Sequence, residues 1–327
     1  MSLLETAFTK DVGVAYPIIG GAMFPCSTPE LVAAVSEAGG IGIVQPLSFV
    51  YVHGYDLRES LKKVKSLTSK PFGMNIIVEK SSKIYENRMR QAVDIALEEG
   101  CRFFITSLGN PKWVVDAIKP VGGIVYHDVT ARKWADKALQ SGVRGLICVN
   151  NRAGGHAGTE SPEQLFQELH ALGVPLVCAG GIGDEKDFVK AMKMGYTAVQ
   201  IGTRFIATTE CSEKPNYKQA IVNATENDIV LTERVTGVPL SVIRTPYVES
   251  VGTKIGPISR FLFKHRLTKP WMRMWYMLKS GRSLKKVTLH GGSSKDYWQA
   301  GKSAHHVDAI ESVATIINRF VKAAEVS

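Results

Sequence analysis

From residue 14 to residue 205 the chain alternates short apolar runs with longer stretches whose apolar positions recur at helical spacing. The runs are 16–19, 41–44, 72–77, 103–106, 123–126, 145–149, 175–179 and 198–201, eight in all. Among the intervening stretches, "TPELVAAVSEAG", "SPEQLFQELHALG" and "DEKDFVKAMKMG" open on a capping residue (Thr28, Ser161, Asp184) and close at a glycine (Gly39, Gly173, Gly195). Pro29 and Pro162 stand at the first helical position, where a missing N–H costs nothing. Continuous apolar strands between amphipathic helices predict parallel β-structure covered by helices. Eight such units predict an α/β protein built on a (β/α)8 TIM barrel. An open doubly wound sheet is compatible with the same alternation. The count of eight, and the late position of the glycine-rich turns, favour the barrel.

The sequence has 327 residues, 45% of them hydrophobic, enough for a large buried core. No run approaches the ~18 consecutive apolar residues of a membrane span. The opening "MSLLETAFTKDVG" lacks the charged and apolar regions of a signal peptide, so a cytoplasmic location is expected. Five scattered cysteines without CxxC spacing argue against a zinc site or a disulfide framework. The net charge of +10 is unevenly spread. Between Glu249 and Asp296 there is no acidic residue, while Lys254, Arg260, Lys264, Arg266, Lys269, Arg273, Lys279, Arg282, Lys285 and Lys286 alternate with Phe261, Phe263, Trp271, Trp275 and Tyr276. The organisation expected is therefore a barrel core over 1–210, a smaller basic helical subdomain over 211–300, and a C-terminal helix over 301–327 packing back on the barrel.

Barrel enzymes work at the carboxyl ends of their strands and usually hold phosphate on the loops after strands seven and eight. Here run seven leads into Ala179-Gly180-Gly181-Ile182-Gly183, and run eight into Gly202-Thr203-Arg204. Glycines allow backbone N–H groups close to a phosphate, Thr203 offers a hydroxyl, and Arg204 a charge. Run six leads into "NNRAGGHAG", so His156 lies on the same rim, with glycines leaving room for a flat ligand. Its ordinary pKa suits proton transfer near neutrality. Asn75 and Gln200 interrupt apolar runs, and Thr106 and His127 lie at run ends. Together they predict a polar mouth suited to a heteroaromatic ring with imide and carbonyl groups.

The segments "PIIGGAM", "FGMNI", "AGGHAG", "LVCAGGIGD" and "AVQIGTRF" resemble, in this order, the nitronate monooxygenase family, itself similar to the FMN-dependent enoyl-acyl-carrier-protein reductase. The resemblance spans roughly residues 14 to 210. It implies an FMN-binding TIM barrel with Ala22 and Met23 against the flavin, Asn75 bonded to the ring edge and Gln200 facing the ring. It further implies Gly155 beside the cofactor, Gly180, Gly181, Gly202 and Thr203 around the phosphate, and His156 as the catalytic histidine. Two positions depart from the family pattern. Arg152 replaces a common acidic residue and is expected to face an anionic substrate, and "IIGGAM" lacks a usual glutamine. "DYWQAGKSAHHV" resembles a later flavin-side loop, with Gly301, Lys302 and Ser303 as candidates and His305 and His306 as surface residues.

The leading expectation is oxidation of a small carbon acid, such as an alkyl nitronate, by dioxygen. The alternative is NAD(P)H-dependent reduction of an enoyl thioester or a quinone, for which the basic segment could meet an acidic carrier protein. Sugar-phosphate or nucleotide chemistry would use the same phosphate turns, but the loop after run six lacks the cysteine of the nucleotide dehydrogenases. The basic, aromatic segment could also touch nucleic acid or an anionic membrane; a helix packing its rings on the barrel explains it more simply. No metal is expected, and a homodimer is compatible with the pattern.

Overall fold

The computed structural model describes residues 2–79, 83–235, 237–256 and 297–327, with a few single positions between 259 and 275. The basic segment singled out above lies almost entirely outside the described residues. Eight parallel strands close into a barrel in chain order: β1 (Ile18–Gly20), β2 (Ile41–Val44), β3 (Gly73–Ile77), β4 (Phe103–Ser107), β5 (Ile124–Val129), β6 (Gly145–Val149), β7 (Leu176–Ala179) and β8 (Ala198–Ile201). β8 returns to β1 with Gln200 opposite Ile19, which closes the ring. The open-sheet alternative is thereby excluded.

Helices α2 (Pro29–Glu37), α3 (Leu57–Leu67), α4 (Lys83–Glu98), α5 (Lys112–Ile118), α6 (Arg132–Gln140), α7 (Pro162–Leu169) and α8 (Glu185–Met194) follow strands one to seven. The caps work as the sequence predicts: Thr28, Ser161 and Asp184 accept from the backbone N–H three residues on. Pleating separates two cores. Ile19, Ile41, Ile43, Phe103, Ile105, Tyr126, Ile147, Val177 and Ala179 fill the barrel. Neighbours of opposite parity, such as Phe104, Val125, Leu146 and Cys178, pack outward against the helices.

The lower end of the barrel is plugged by α1 (Ala7–Val12). Phe8 is fully buried and meets Phe103 and Tyr126 edge-on, each with ring centroids 5.9 Å apart. Tyr126 donates to Asp11, which also pairs with Arg144 at 3.0 Å.

After β8 the chain makes the short α9 (Thr203–Ile206) and leaves the barrel. This excursion contains α10 (Pro215–Asn223), an antiparallel hairpin of β9 (Ile229–Thr232) and β10 (Leu240–Ile243), and α11 (Pro246–Val251). It returns through residues 297–301, which bond to β10, and ends in α12 (Val313–Glu325). α12 packs on α8 and α2 and so completes the helical ring. Phe320 stacks on Phe188 with centroids 5.5 Å apart.

The two ends of the excursion are joined by Arg204. Its fully buried guanidinium pairs with Glu311 and donates to the Ala309 carbonyl at 2.9 Å. Arg204 therefore points away from the rim and does not serve a phosphate there, contrary to the sequence expectation. One residue after Thr203 the short helix has already turned the chain, and the side chain faces the opposite side.

The α1 plug generates a prediction. Phe8→Ala removes a ring whose neighbours are fixed strands, so the void cannot collapse. It should lower the unfolding free energy by about 3–5 kcal/mol, measured by urea denaturation.

Candidate active site

Barrel parity decides which polar residues reach the upper mouth. Positions 75, 107, 128 and 200 continue the interior series of their strands. They form a wall. Gln45 donates to Asn75 Oδ1 at 3.2 Å; Asn75 Nδ2 donates to Ser107 Oγ at 3.0 Å and to the Ile105 carbonyl at 3.3 Å. Ser107 in turn donates to Asp128 Oδ2 at 2.7 Å. Asp128 Oδ1 and Gln200 Oε1 are buried and have no hydrogen-bond partner among the described residues. Two buried acceptors without donors are costly and call for donors from a bound group. Burial pushes the Asp128 carboxyl up to about 6, against the lowering effect of Ser107.

Thr106 and His127 have the opposite parity and face the helices. Thr106 Oγ1 lies 2.8 Å from His127 Nδ1, and burial drives His127 down to about 4. They form a closed, neutral pair behind the barrel wall, and the sequence expectation that placed them at the mouth is corrected by one step of the pleat.

The loop after β6 is held from both sides. Asn150 is fully buried, donates to the Gly180 carbonyl at 2.9 Å and accepts from the Arg152 N–H at 2.9 Å. Gly155, at φ +69°, bridges to Ser241 on β10 and accepts its N–H at 2.8 Å. His156 follows directly. Its ring keeps exposed area, yet desolvation by surrounding protein lowers its pKa. A lowered imidazole pKa leaves His156 neutral at pH 7, able to accept a proton.

Three chain segments meet at the glycine turns. A Cβ on Gly154 would stand 3.0 Å from the Gly301 nitrogen and 3.4 Å from Thr203 Oγ1. The Gly301 N–H donates to that hydroxyl at 2.9 Å, and the Lys302 N–H donates to the Arg152 carbonyl at 2.9 Å. Ser303 is buried in the same turn. Gly180 and Gly181 have φ of +116° and +86°, conformations that favour glycine. No side chain caps α9, whose first turn begins at Gly202–Thr203. Met23 Sδ lies 3.6 Å from a Cβ built on Gly202, and Gln200 Cγ 3.0 Å from one on Gly21. Ala22 packs against the barrel-interior cluster. Arg152 lays its stem over Gly181 and pairs with Glu226, so its charge is engaged within the protein. His306 is bonded to Asp187 at 2.7 Å, while His305 is exposed. Asp184 completes a group with Asp187 and His306, but Asp184 caps α8 and Asp187 also accepts from the Gly183 N–H at 2.9 Å.

These residues fit a phosphorylated heteroaromatic ligand. Glycine turns and Thr203 sit at one edge, and the orphaned oxygens of Gln200 and Asp128 stand on the floor. A family model described as nitronate monooxygenase matches residues 5–323. The chain belongs to the nitronate monooxygenase family. A dehydrogenase of Rhodococcus jostii named for a hydroxy-methyl-oxo-octahydroindene-carboxyl-CoA is 31% identical, over 77% of this chain and 69% of its own. A probable nitronate monooxygenase of Staphylococcus saprophyticus is 27% identical, over 86% and 92%. Among solved structures, FabK from Thermotoga maritima superposes with a TM-score of 0.81 at 29% identity, covering 98% of this chain and 96% of that one. A nitroalkane oxidase from Streptomyces ansochromogenes shares the fold, with a TM-score of 0.74 at 20% identity and coverage of 98% and 99%. The chain is thus an oxidoreductase by family. Among the described residues no helix is long and apolar enough to cross a membrane.

Reading strands only as apolar runs missed Gln45, Ser107, Asp128 and Asn150. Run five was ended at Tyr126, whereas β5 continues to Val129. Counting two residues on from Tyr126 would have placed Asp128 inside the barrel.

The His306–Asp187 contact fastens the 302–306 turn to α8. The bond to Asp187 raises the His306 pKa above the usual 6.5. Its stabilising effect is full below the unfolded value of about 6.5 and fades as pH rises through the raised folded value. The Tm difference between the wild type and His306→Ala should therefore be larger at pH 6 than at pH 9 in thermal melts.

Proposed function

We propose that this family member is an FMN-dependent oxidoreductase of carbon acids in which His156 handles the substrate proton. The observation that carries this reading is the convergence at one mouth of a neutral, accessible imidazole, a glycine cradle and two donorless buried oxygens. Gly180, Gly181, Gly202 and Thr203 hold the phosphate. Gln200 and the Asn75 wall border the ring, Ala22 and Met23 line its edge, and Gly155 gives it clearance. Bound FMN supplies the two-electron chemistry, with dioxygen as the acceptor in nitronate oxidation.

The chain's own part is to place and deprotonate the substrate. His156 Nδ1 or Nε2 accepts the proton of a substrate that arrives as the neutral carbon acid, a nitroalkane or an acyl thioester; a nitronate has already lost it. The bridge from Gly155 to Ser241 fixes the backbone that carries it. Arg152 is spent on Glu226 and holds the phosphate turn in shape, so substrate charge is not its concern.

A second reading has a specific observation in its favour. Val50, Tyr51 and Tyr55 after β2, Ile84 after β3 and Leu108 after β4 are all exposed. They lie at the same end of the barrel as His156 and give that side of the rim an apolar character suited to an acyl group. The CoA-thioester name of the Rhodococcus relative points the same way. The alternative is dehydrogenation of an acyl thioester or NAD(P)H-dependent reduction of an enoyl thioester, with the same imidazole serving the proton.

Anaerobic mixing of the flavin-loaded protein with propane-2-nitronate, NADPH or a short saturated acyl-CoA separates these readings by which one bleaches the flavin absorbance; in the reductase reading a short enoyl-CoA added after NADPH restores it. His156→Ala should retain FMN and lose about 10²–10⁴-fold in turnover, the usual range for a general base. Full activity in that variant would remove the proton role. The wild-type kcat/KM profile should fall on the acid side, with its apparent pKa below 6.5, as His156 is protonated.

A further inference from the structure

The Asp128 carboxyl has a placement that the family reading leaves unexplained. Its Oδ2 receives the Ser107 hydroxyl at 2.7 Å, the last link of the chain from Gln45 through Asn75. Its Oδ1 is buried without a donor, although the residue as a whole keeps some accessible area. The strand neighbours give it nothing: Ile147 stands opposite on β6, and the next interior position, Val149, is apolar. Among the described residues, only burial and the Ser107 bond shift its titration. Cys148 on β6 senses its charge, but that thiol is buried and itself raised. His127, adjacent in sequence, points to the other face of β5 and is bonded to Thr106.

A half-satisfied carboxyl in the barrel destabilises the protein unless something else uses it. The free oxygen borders the same mouth as Gln200 Oε1, where a donor must come from the ligand. We propose that Asp128 is the ring-contacting acid of this site: its free oxygen pairs with an N–H of the bound flat heterocycle and sets a negative charge against it. This assignment rests on the FMN reading above and deepens it. A carboxylate beside the ring opposes the added negative charge of reduction. Asp128 therefore lowers the affinity for reduced FMN relative to oxidised FMN and biases the site toward giving electrons up to an acceptor.

The test uses Asp128→Asn, which keeps the shape and the Ser107 contact and removes the charge. FMN-loaded wild type and variant are titrated at pH 8 for the midpoint potential of the bound flavin, with FMN dissociation constants and apoprotein melting measured alongside. The variant should favour reduced over oxidised FMN by about tenfold more than the wild type, equal to ~30 mV for a two-electron couple. Its apoprotein should melt at the same temperature or higher, because an unpaired carboxyl has been removed. An unchanged potential, with FMN bound and apoprotein stability reduced, would make Asp128 a structural residue and overturn the assignment while leaving the cofactor reading intact. Wild-type protein that binds no FMN would overturn the cofactor reading itself, and this one with it. If the asparagine variant fails to fold, Asp128→Ser gives the same comparison with a smaller neutral group.

Discussion

Barrel closure imposes one constraint on everything above it: in each strand alternate side chains go inside, and the register is fixed all the way round. A strand cannot slip to bring a different residue into the mouth without moving its neighbours on both sides. That is why Asn75, Ser107, Asp128 and Gln200 share one chamber, while Thr106 and His127, each one residue from a member of that set, are sealed behind it. The site's polar groups are a consequence of pleat parity before they are a consequence of chemistry.

The second constraint is the excursion between α9 and α12. It leaves the barrel beside the Gly202–Thr203 turn and returns beside it, and the buried Arg204–Glu311 pair joins the two ends. Removing one partner would leave a buried charge unpaired, which is strongly destabilising. Because its base is fixed, the excursion can hold the His156 loop through the Gly155–Ser241 bridge and seat Gly301 against Thr203. Contacts spanning 86 (Gly155–Ser241) and 98 (Thr203–Gly301) sequence positions thus set the geometry of one small volume. Arg152 belongs to the same arrangement. Its ion pair with Glu226 ties the β6 loop to the excursion, which accounts for a basic residue where the family commonly has an acid.

The mouth has two chemically different sides. The side after β6 to β8 is glycine-rich, backbone-lined and closed over by residues 297–303. Among the described residues, the side after β2 to β4 carries exposed tyrosines, isoleucine and leucine. Leu108 is held at φ +62°, a left-handed conformation unusual for leucine.

The architecture, the helix caps, the glycine turns after β7 and β8 and the loop that carries His156 are legible in the amino-acid order alone. Each of these is a local signal: periodicity, a capping hydroxyl, or a glycine where the backbone must turn. That order also carried the residues of the mouth, but without their parity, since a run ended one or two residues early hides Ser107 and Asp128. That Arg204 is a buried strut, that Arg152 is paired, that His306 fastens a turn to α8, and that Asp128 keeps an oxygen without a donor among the described residues became visible with the folded chain. Those facts depend on which distant side chain arrives at each position, and no short window of sequence contains both partners.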